Sequence, residues 1–249
     1  MPHAFLSPSS AAERGTGALF TEEDYATLGA YYHSHPGLLP TPNLTLPDLA
    51  ATVGLRDLWV KDETARFGLN AFKSLGVRFA VDTLLVRGTI VRGATLVCAS
   101  EGNHGRAVAR AAREAGCQAR VYLAASVAQA RADAIASEGA DVVRVAGTYD
   151  DAVRTAAEDA DRSGWIVVSD TSWDSYQEIP RLIMLGYTRL MDELAAGYGD
   201  SWRPDVICVP GGVGGLLAAV ACWSNRHWRV ARPPHGALGL LREADPRCV

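Results

Sequence analysis

With 249 residues, 48% of them hydrophobic, the chain has enough apolar material for one large domain or two small ones. Its net charge of -4 gives no electrostatic reason to expect a nucleic acid or a membrane surface as a partner. No apolar run could span a bilayer, and residues 1–17 lack a secretory pattern and are expected to form a flexible leader. Five cysteines without CxxC spacing indicate free thiols in a reducing cytoplasm, with neither zinc nor disulfides.

Beyond Pro47, short β-branched runs alternate with alanine-rich helical runs. The predicted strands span residues 57–61, 95–99, 120–123, 142–145, 165–168 and 206–209. The predicted helices span residues 71–87, 105–115, 127–138, 149–162, 176–196 and 215–223. This alternation predicts an α/β fold with parallel sheets and helices on both faces. The helix over 176–196 is the clearest, because its apolar residues fall on one stripe and Pro180 stands in its first turn.

Lys73 is the residue that suggests a chemical function. It stands beside the apolar residues Phe72, Leu75 and Phe79. Removing water from an amine disfavours its charged form, and the neutral amine can form a Schiff base with an aldehyde cofactor. The alternative is an ordinary surface lysine whose head reaches water.

Two later segments favour the cofactor interpretation. SEGNHG (residues 100–105) and PGGVGG (residues 210–215) each follow a predicted strand and lead into a predicted helix, where backbone N–H groups collect ligands. The glycines of PGGVGG would let successive amides converge on a phosphate, although a turn that permits close helix–sheet packing explains them too. The segment departs from GxGxxG and from nucleoside-triphosphate loops, so a nucleotide is not required.

With these segments in view, the chain resembles the fold type II pyridoxal-phosphate enzymes, the group of tryptophan synthase β subunits, threonine dehydratases and serine racemases. KDETARFGLNAFKSLG (residues 61–76) and SDTSWDSYQEIPRLIMLGY (residues 169–187) are most similar to diaminopropionate ammonia-lyases. The resemblance implies two parallel-sheet domains of tryptophan synthase β-like architecture. The larger would comprise residues 1–94 and 173–249, and the smaller, residues 95–172, would close over the substrate. It also implies pyridoxal 5'-phosphate as cofactor and an amino-acid substrate; relatives are often homodimers.

The resemblance gives each matched residue a role. Lys73 would carry the cofactor and move a proton at the substrate α-carbon, and Asn103 would hydrogen-bond the oxygen on the cofactor ring. Five residues would hold the phosphate: Gly211, Gly212, Val213, Gly214 and Gly215. Three residues would receive the substrate carboxylate: Ser100, Gly102 and His104.

Two acidic residues complete the predicted site. In the ammonia-lyases an aspartate two positions before the asparagine acts as a second base, and this chain has Glu101 there, one methylene longer. Asp170 matches a second acidic position associated with substrate handling. The alternatives are a solvated loop carboxylate for Glu101 and a helix N-cap or turn residue for Asp170.

The predicted activity is β-elimination of ammonia from 2,3-diaminopropionate, with Lys73, Glu101 and Asp170 handling protons. A serine or threonine dehydratase is the first alternative, because Glu101 departs from the ammonia-lyase pattern. A non-catalytic remnant is the second. The resemblance fades after about Cys222 and the tail has no clear strand, so the larger domain is expected to be incomplete.

Other polar residues are expected to have ordinary roles. Lys61, Asp62 and Glu63 should form structural pairs, and Arg106 and Arg110 should lie on a solvated helix face. His33 and His35 have no cysteine or carboxylate at ligand spacing, so no metal site is expected.

Overall fold

The computed structural model describes residues 19–199, 202–228 and 239–242. The predicted leader, residues 1–17, lies outside the described residues. The helices are α1 (Glu22–Ser34), α2 (Pro47–Thr52), α3 (Lys73–Val86), α4 (Asn103–Glu114), α5 (Gln129–Ala136), α6 (Tyr149–Ser163), α7 (Glu178–Tyr187), α8 (Arg189–Tyr198) and α9 (Gly215–His227). The strands are β1 (Asn43–Thr45), β2 (Trp59–Lys61), β3 (Thr95–Ala99), β4 (Gln118–Ala124), β5 (Asp141–Val145), β6 (Ile166–Val167), β7 (Cys208–Gly211) and β8 (Gly239–Arg242).

A four-stranded parallel sheet with the order β5-β4-β3-β6 forms one part of the fold. The chain moves outward from β3 through β4 to β5 and then returns to the other side of β3 as β6. The direction of the connections therefore reverses between β3 and β6. In open parallel sheets, ligands bind beyond the carboxyl ends of the strands at such a reversal. The residues that follow β3 and β6 are therefore expected to form a site.

Helix α3 is the central helix of the core. Its fully buried residues are Leu75, Val77, Phe79, Ala80, Val81 and Leu84. It packs closely on α7 because each helix has a glycine at the contact. A Cβ atom on Gly76 would lie 2.3 Å from the Ile183 carbonyl oxygen, and one on Gly186 would lie 2.7 Å from the Gly76 Cα. This close approach sets the start of α3 beside α7.

The long helix predicted over residues 176–196 is two helices, α7 and α8. Thr188 separates them: its buried hydroxyl donates to the Leu185 carbonyl at 2.7 Å, and its own carbonyl accepts from the Met191 N–H at 3.0 Å. A threonine that bonds back to the preceding turn bends a helix. Pro180 lies in the first turn of α7, as predicted.

Two expectations about strands were wrong. The strand predicted over 57–61 pairs antiparallel with β1, whereas a parallel pairing was expected. The tail was expected to have no clear strand, yet β8 pairs in parallel with β7. Both β1 and β8 are short, so their pairing partners, more than their own patterns, make them strands. Helix α1 was missed, although Thr21 and Asp24 form a capping box at its start.

The α/β architecture with parallel sheets is confirmed. The four-stranded sheet comes from residues inside the predicted smaller domain, 95–172, and the domain boundaries themselves stay a prediction. Across the described ranges, no helix combines the length and apolar character that crossing a membrane requires.

A buried group of charges holds the segment that leads to Lys73. The Arg66 side chain is 0% exposed and donates to Glu63 and to Glu193, in each case with a shortest distance of 2.6 Å. Lys61 lies 2.8 Å from the same Glu193 carboxylate. The structural pairing predicted for Lys61 and Glu63 is therefore confirmed. Asp62 instead accepts hydrogen bonds from Thr64, two residues further on.

Replacing Arg66 by methionine is expected to lower the free energy of unfolding by about 3–5 kcal/mol, because buried carboxylates lose their partner. Arg56→Met is the matched control, since the ion pair of Arg56 with Asp57 is exposed and should contribute nothing measurable. Urea unfolding at pH 7 measures both variants. Equal stability of the two variants would contradict the assigned role of the cluster.

Candidate active site

Lys73 is the first residue of α3, and its ammonium has a carboxylate partner. Lys73 Nζ lies 2.5 Å from Asp170 Oδ2, and the lysine side chain is 21% exposed. The ammonium also lies 5.3 Å from the centre of the Phe72 ring and 5.9 Å from that of Tyr187. Lys73 is therefore a partly enclosed amine between two rings and a carboxylate.

Of the three apolar residues predicted to flank Lys73, two do not lie beside its amine. Leu75 and Phe79 are fully buried in the core, and Phe72 is the predicted neighbour that contacts the amine. The reason is helical geometry: Leu75 and Phe79 follow Lys73 by two and six positions, and neither spacing places a side chain on the same helix face as Lys73.

Asp170 follows β6 and belongs to the same cluster. Its side chain is 10% exposed and lies 3.6 Å from His104 Nδ1 as well as against Lys73. Burial acts to raise the pKa of the Asp170 carboxyl. The charges of His104 and Lys73, with the Lys73 hydrogen bond, outweigh burial and hold that pKa below its ordinary value. The N-cap alternative for Asp170 is excluded, because α7 begins at Glu178 with Gln177 as its N-cap.

His104 occupies the first turn of α4, which starts two residues earlier than predicted. Its Nε2 lies 2.8 Å from the Val168 carbonyl oxygen. A carbonyl only accepts hydrogen bonds, so Nε2 must carry a proton. In the neutral ring Nδ1 is then an acceptor, and within the described part of the chain it has no hydrogen-bond partner. The buried ring therefore presents Nδ1 toward the Lys73–Asp170 pair.

The loop after β3 is shaped by Ser100. The buried Ser100 hydroxyl accepts hydrogen bonds from the N–H groups of Gly102 at 3.0 Å and Gly105 at 2.8 Å. Its own proton stays available for donation. Asn103 is exposed at the first position of α4. The predicted loop residues therefore stand at the edge of the cluster, with Asn103 open to a ligand.

Glu101 is in the same loop but outside the cluster of contacts. Its side chain is exposed, and in the described ranges only its backbone oxygen has a partner, Arg131 at 3.1 Å. Burial raises the pKa of the Tyr149 phenol to about 12, and nearby groups that include Asp170 and Glu101 add to the rise. The Asp170 and Glu101 carboxylates therefore both act electrostatically on the Tyr149 phenol. Sequence reasoning did not select Tyr149.

The glycine segment meets the start of α9. Gly214 is the N-cap and has φ of 89°, a left-handed conformation that favours glycine. Val213 is 53% exposed, and Gly212 beside it is exposed too. The first N–H groups of a helix have no intrahelical partner and favour anions. The segment can therefore hold a phosphate with its backbone.

Tyr187 connects the lysine to the glycine segment. Its Cε2 lies 3.7 Å from a Cβ position on Gly215, and its Cε1 lies 2.6 Å from one on Gly76. The same ring lies 5.9 Å from Lys73 Nζ. One aromatic side chain therefore forms a wall between the amine and the start of α9. Sequence reasoning missed Tyr187, although it ends the quoted segment 169–187.

Arginines of α4 hold the loop before Lys73. Arg106 donates to the Leu69 carbonyl at 3.1 Å, and Arg110 approaches the Phe67 carbonyl at 3.4 Å. Phe67 has φ of 47°, a conformation that is strained for a residue other than glycine. These contacts therefore help to hold an unfavourable backbone shape next to the lysine.

The solvated helix face predicted for Arg106 and Arg110 was wrong. Both arginines are half-buried and pair with Glu138, at 3.2 Å and 2.7 Å. Burial acts to raise the pKa of Glu138, but the two guanidinium groups outweigh it and lower that pKa. Glu138 is 28 and 32 residues away in sequence, so a helical pattern could not reveal it.

Tyr176 fixes the segment that carries Asp170. Its hydroxyl accepts from the Ser169 N–H at 2.8 Å and donates to the Val167 carbonyl at 2.9 Å. The ring is stacked on Trp173 with a centroid distance of 4.1 Å. Tyr176 thus ties the backbone on both sides of Val168, whose carbonyl binds His104.

Comparison with known proteins shows the family. The family model described as pyridoxal-phosphate dependent enzyme matches residues 35–232, which is most of the chain. The chain belongs to this family. The cofactor that membership implies is pyridoxal 5'-phosphate. The site fits this cofactor. Lys73 offers a partly exposed amine, the glycine segment offers backbone N–H groups that can bind a phosphate, and the Tyr187 hydroxyl near that segment is buried without a partner among the described residues.

Relatives with a known activity include two bacterial ammonia-lyases. Diaminopropionate ammonia-lyase of Escherichia coli strain K12 is 36% identical over 221 residues, covering 82% of this chain and 56% of that enzyme. The Salmonella typhimurium enzyme of the same name is 34% identical over 252 residues, covering 88% of this chain and 62% of that enzyme. Biosynthetic L-threonine dehydratase of Mycobacterium leprae is 28% identical over 198 residues, covering 78% of this chain and 43% of that enzyme. The chain thus spans less than two thirds of these relatives.

Solved structures agree with the sequence comparison. The apo form of the Escherichia coli diaminopropionate ammonia-lyase matches with a TM-score of 0.79 and 35% identity, covering 86% of this chain and 62% of that one. The same enzyme with an aminoacrylate–pyridoxal phosphate azomethine intermediate also matches with a TM-score of 0.79. This match covers 86% of this chain and 58% of that one. A pyridoxal 5'-phosphate-dependent aspartate racemase shares the fold, with 23% identity and a TM-score of 0.71. The match covers 89% of this chain and 62% of the racemase.

Asp170→Asn in the cofactor-free protein should reduce stability in a pH-dependent way. Because the folded-state pKa of Asp170 lies below its ordinary value of 3.8, its contribution is fully present above that value and is lost as the pH falls through the lowered pKa. The variant should therefore be less stable than the parent at pH 7, and the difference should shrink below about pH 4. Denaturant titrations at several pH values measure the difference.

Asp174→Asn is the matched control, since this exposed carboxylate lies in the same segment and its side chain has no hydrogen bond in the described structure. It should match the parent at every pH. A stability difference for Asp170→Asn that stays constant down to pH 3 would contradict the ion-pair interpretation.

Proposed function

We propose that this protein is a pyridoxal-phosphate-dependent ammonia-lyase. It would convert 2,3-diaminopropionate and water to pyruvate and two molecules of ammonia. The observation that carries the proposal is the Lys73–Asp170–His104 cluster, in a chain that is 36% identical to an ammonia-lyase over 221 residues. The chain spans 56% of that relative, so the proposal for activity and substrate is argued from this chain's own residues.

Lysine usage supports Lys73 as the attachment point. The chain has two lysines, Lys61 and Lys73. The Lys61 side chain is 6% exposed, and its ammonium is already engaged by Glu193 and by the Thr41 carbonyl at 2.6 Å. Lys73 has an exposed fraction and a predicted phosphate cradle beyond Tyr187. It is therefore the side-chain amine available for the cofactor aldehyde.

Other residues would hold and orient the cofactor. Asn103 would bind the oxygen on its ring, and five residues at the start of α9 would surround its phosphate: Gly211, Gly212, Val213, Gly214 and Gly215. When bound, pyridoxal phosphate accepts the electrons released as the substrate Cα–H bond breaks. The protein's share of the work is to supply the base, the phosphate anchor and the orientation.

Lys73 and Asp170 would manage the protons. The Lys73 ammonium must lose a proton before its nitrogen can bond to an aldehyde, and Asp170 Oδ2 is the acceptor 2.5 Å away. His104 Nδ1 lies 3.6 Å from the same oxygen, beyond hydrogen-bond distance, and His104 acts on Asp170 through its charge. Once the amino group of the substrate has replaced Lys73 on the aldehyde carbon, the released Lys73 amine would take the proton from the substrate α-carbon.

Carboxylates suit a substrate with an additional ammonium group. Diaminopropionate carries a β-ammonium where serine carries a hydroxyl, and a carboxylate such as Asp170 or Glu101 would pair with it. The substrate carboxylate would meet three residues of the loop after β3: Ser100, Gly102 and His104. Glu101 stands in the same loop with its side chain exposed. It would therefore be the second proton-handling group, on the solvent side.

A hydroxy-amino-acid dehydratase is the second candidate. It is favoured by the 28% identity to a threonine dehydratase over 198 residues and by Glu101, whose side chain engages no partner in the described ranges. Because the Glu101 carboxylate is not committed to a partner, the site does not require a substrate with a second ammonium group, and a hydroxyl protonated by a nearby acid could leave as water. The two candidates share the cofactor and differ in the group that leaves.

Purified protein with added cofactor should release two molecules of ammonia for each pyruvate from diaminopropionate. Assays with both enantiomers of diaminopropionate and with serine, threonine and 3-hydroxyaspartate measure ammonia and 2-oxo acid. Activity on the hydroxy substrates alone would replace the first candidate with the second. No product from any substrate, with no cofactor absorbance band, would favour a non-catalytic role.

Borohydride reduction in the presence of cofactor should label Lys73, because the reduced bond to the amine becomes permanent. Peptide mapping locates the label. Lys61→Arg serves as the control and should keep the label, whereas Lys73→Ala should lose both the label and the absorbance band. A label on Lys61 in the parent protein would refute the assignment of Lys73.

A cytoplasmic location and a homodimer stay predictions from the sequence. Four cysteines in the described ranges are free, namely Cys98, Cys117, Cys208 and Cys222. Free thiols suit a reducing compartment and so support the location. Sedimentation equilibrium of the purified chain would test the dimer.

A further inference from the structure

The Tyr187 hydroxyl is a buried polar group without a partner beside the candidate active site. The side chain is 1% exposed, and its oxygen has no hydrogen bond to any residue in the described ranges. A buried hydroxyl left unpaired destabilises a protein. Groups of this kind call for an explanation, and a ligand that supplies the missing partner is one.

The position of the hydroxyl follows from the ring carbons on either side of it. Cε1 is 2.6 Å from a Cβ position on Gly76, and Cε2 is 3.7 Å from a Cβ position on Gly215. The hydroxyl-bearing end of the ring therefore lies between the first turns of α3 and α9. Gly76 is three residues after Lys73, and Gly215 closes the predicted phosphate cradle.

The ring has little freedom to move away. It contacts Phe72 edge-to-face with a centroid distance of 5.1 Å, and its Cε1 side needs the space that the absent Gly76 side chain leaves. Burial raises the pKa of Tyr187 well above its ordinary value, so the phenol keeps its proton. The oxygen is thus a fixed hydrogen-bond donor at the start of α9.

We propose that the Tyr187 hydroxyl donates a hydrogen bond to a phosphate oxygen of the bound cofactor. The proposal rests on the proposed function, because it takes pyridoxal 5'-phosphate to be the ligand of this site. Phosphate is the favoured acceptor because ring carbon Cε2 lies 3.7 Å from the Cβ position on Gly215, where helix N–H groups already favour an anion. Tyr187 is then a cofactor-binding residue in addition to the glycines.

Tyr187→Phe tests this, since it removes the hydroxyl and keeps the ring that fills the space beside Gly76. The dissociation constant of pyridoxal 5'-phosphate should rise about 10-fold, which corresponds to about 1.4 kcal/mol. The dissociation constant of unphosphorylated pyridoxal should be the same in the variant and the parent. Fluorescence titration of the cofactor-free proteins measures both constants, and thermal melts without cofactor should show no loss of stability.

Tyr198→Phe is the matched control. The Tyr198 hydroxyl also has no partner in the described residues, but its ring contacts Trp59 and Trp202 at centroid distances of 5.3 Å and 5.8 Å. This variant should bind both ligands like the parent. It shows whether loss of any unpaired tyrosine hydroxyl alters cofactor affinity.

Each other outcome overturns the assignment in an identifiable way. If Tyr187→Phe and the parent bind pyridoxal 5'-phosphate with equal affinity, the hydroxyl does not bond the phosphate. If the variant only melts at a lower temperature, Tyr187 has a structural role. If Tyr187→Phe loses as much affinity for pyridoxal as for pyridoxal 5'-phosphate, the phosphate is not the acceptor of the hydrogen bond. If the parent binds neither ligand, the proposed function fails as well.

Discussion

The contact between the Lys73 ammonium and the Asp170 carboxylate is the interaction on which the site depends. It joins two groups 97 residues apart in sequence, at 2.5 Å. Either charge alone would be unfavourable in a partly buried position, whereas together they largely neutralise each other. The pair also keeps an amine and a carboxylate in contact before any ligand arrives. His104 extends the pair to a third titratable group.

The remainder of the fold brings the two halves of this pair together. The strand order places Asp170 beyond β6, next to the loop after β3, where the connections of the sheet reverse. The close packing of Gly76 on Gly186 sets the start of α3, and hence Lys73, against α7. The buried Arg66 group and the arginines of α4 then hold the strained loop that precedes Lys73. The contacts that build the core of this protein therefore also position the side chains of the site.

Much of the fold could be predicted, because the alternation of strands and helices is a local signal. The predicted elements from residue 95 to the end of α6 match the structure within a few residues. The misses had physical causes. Thr188 divides a helix through one hydroxyl contact, and β8 is a strand because β7 pairs with it. For the site, the sequence segments pointed to Lys73 and Asp170 but not to their contact.

The amino-acid sequence by itself determined the α/β class, the family and the short segments that carry the candidate chemistry. These features depend on periodicity and on residue order within segments of about 20 residues. Tertiary structure alone decided which side chains surround the lysine. It made the half-buried Arg106 an anchor for the loop before Lys73, left Glu101 exposed and enclosed the Tyr187 hydroxyl between two helix starts. The physical reason is that such contacts depend on how closely helices approach one another, and that distance is set by packing across the whole core.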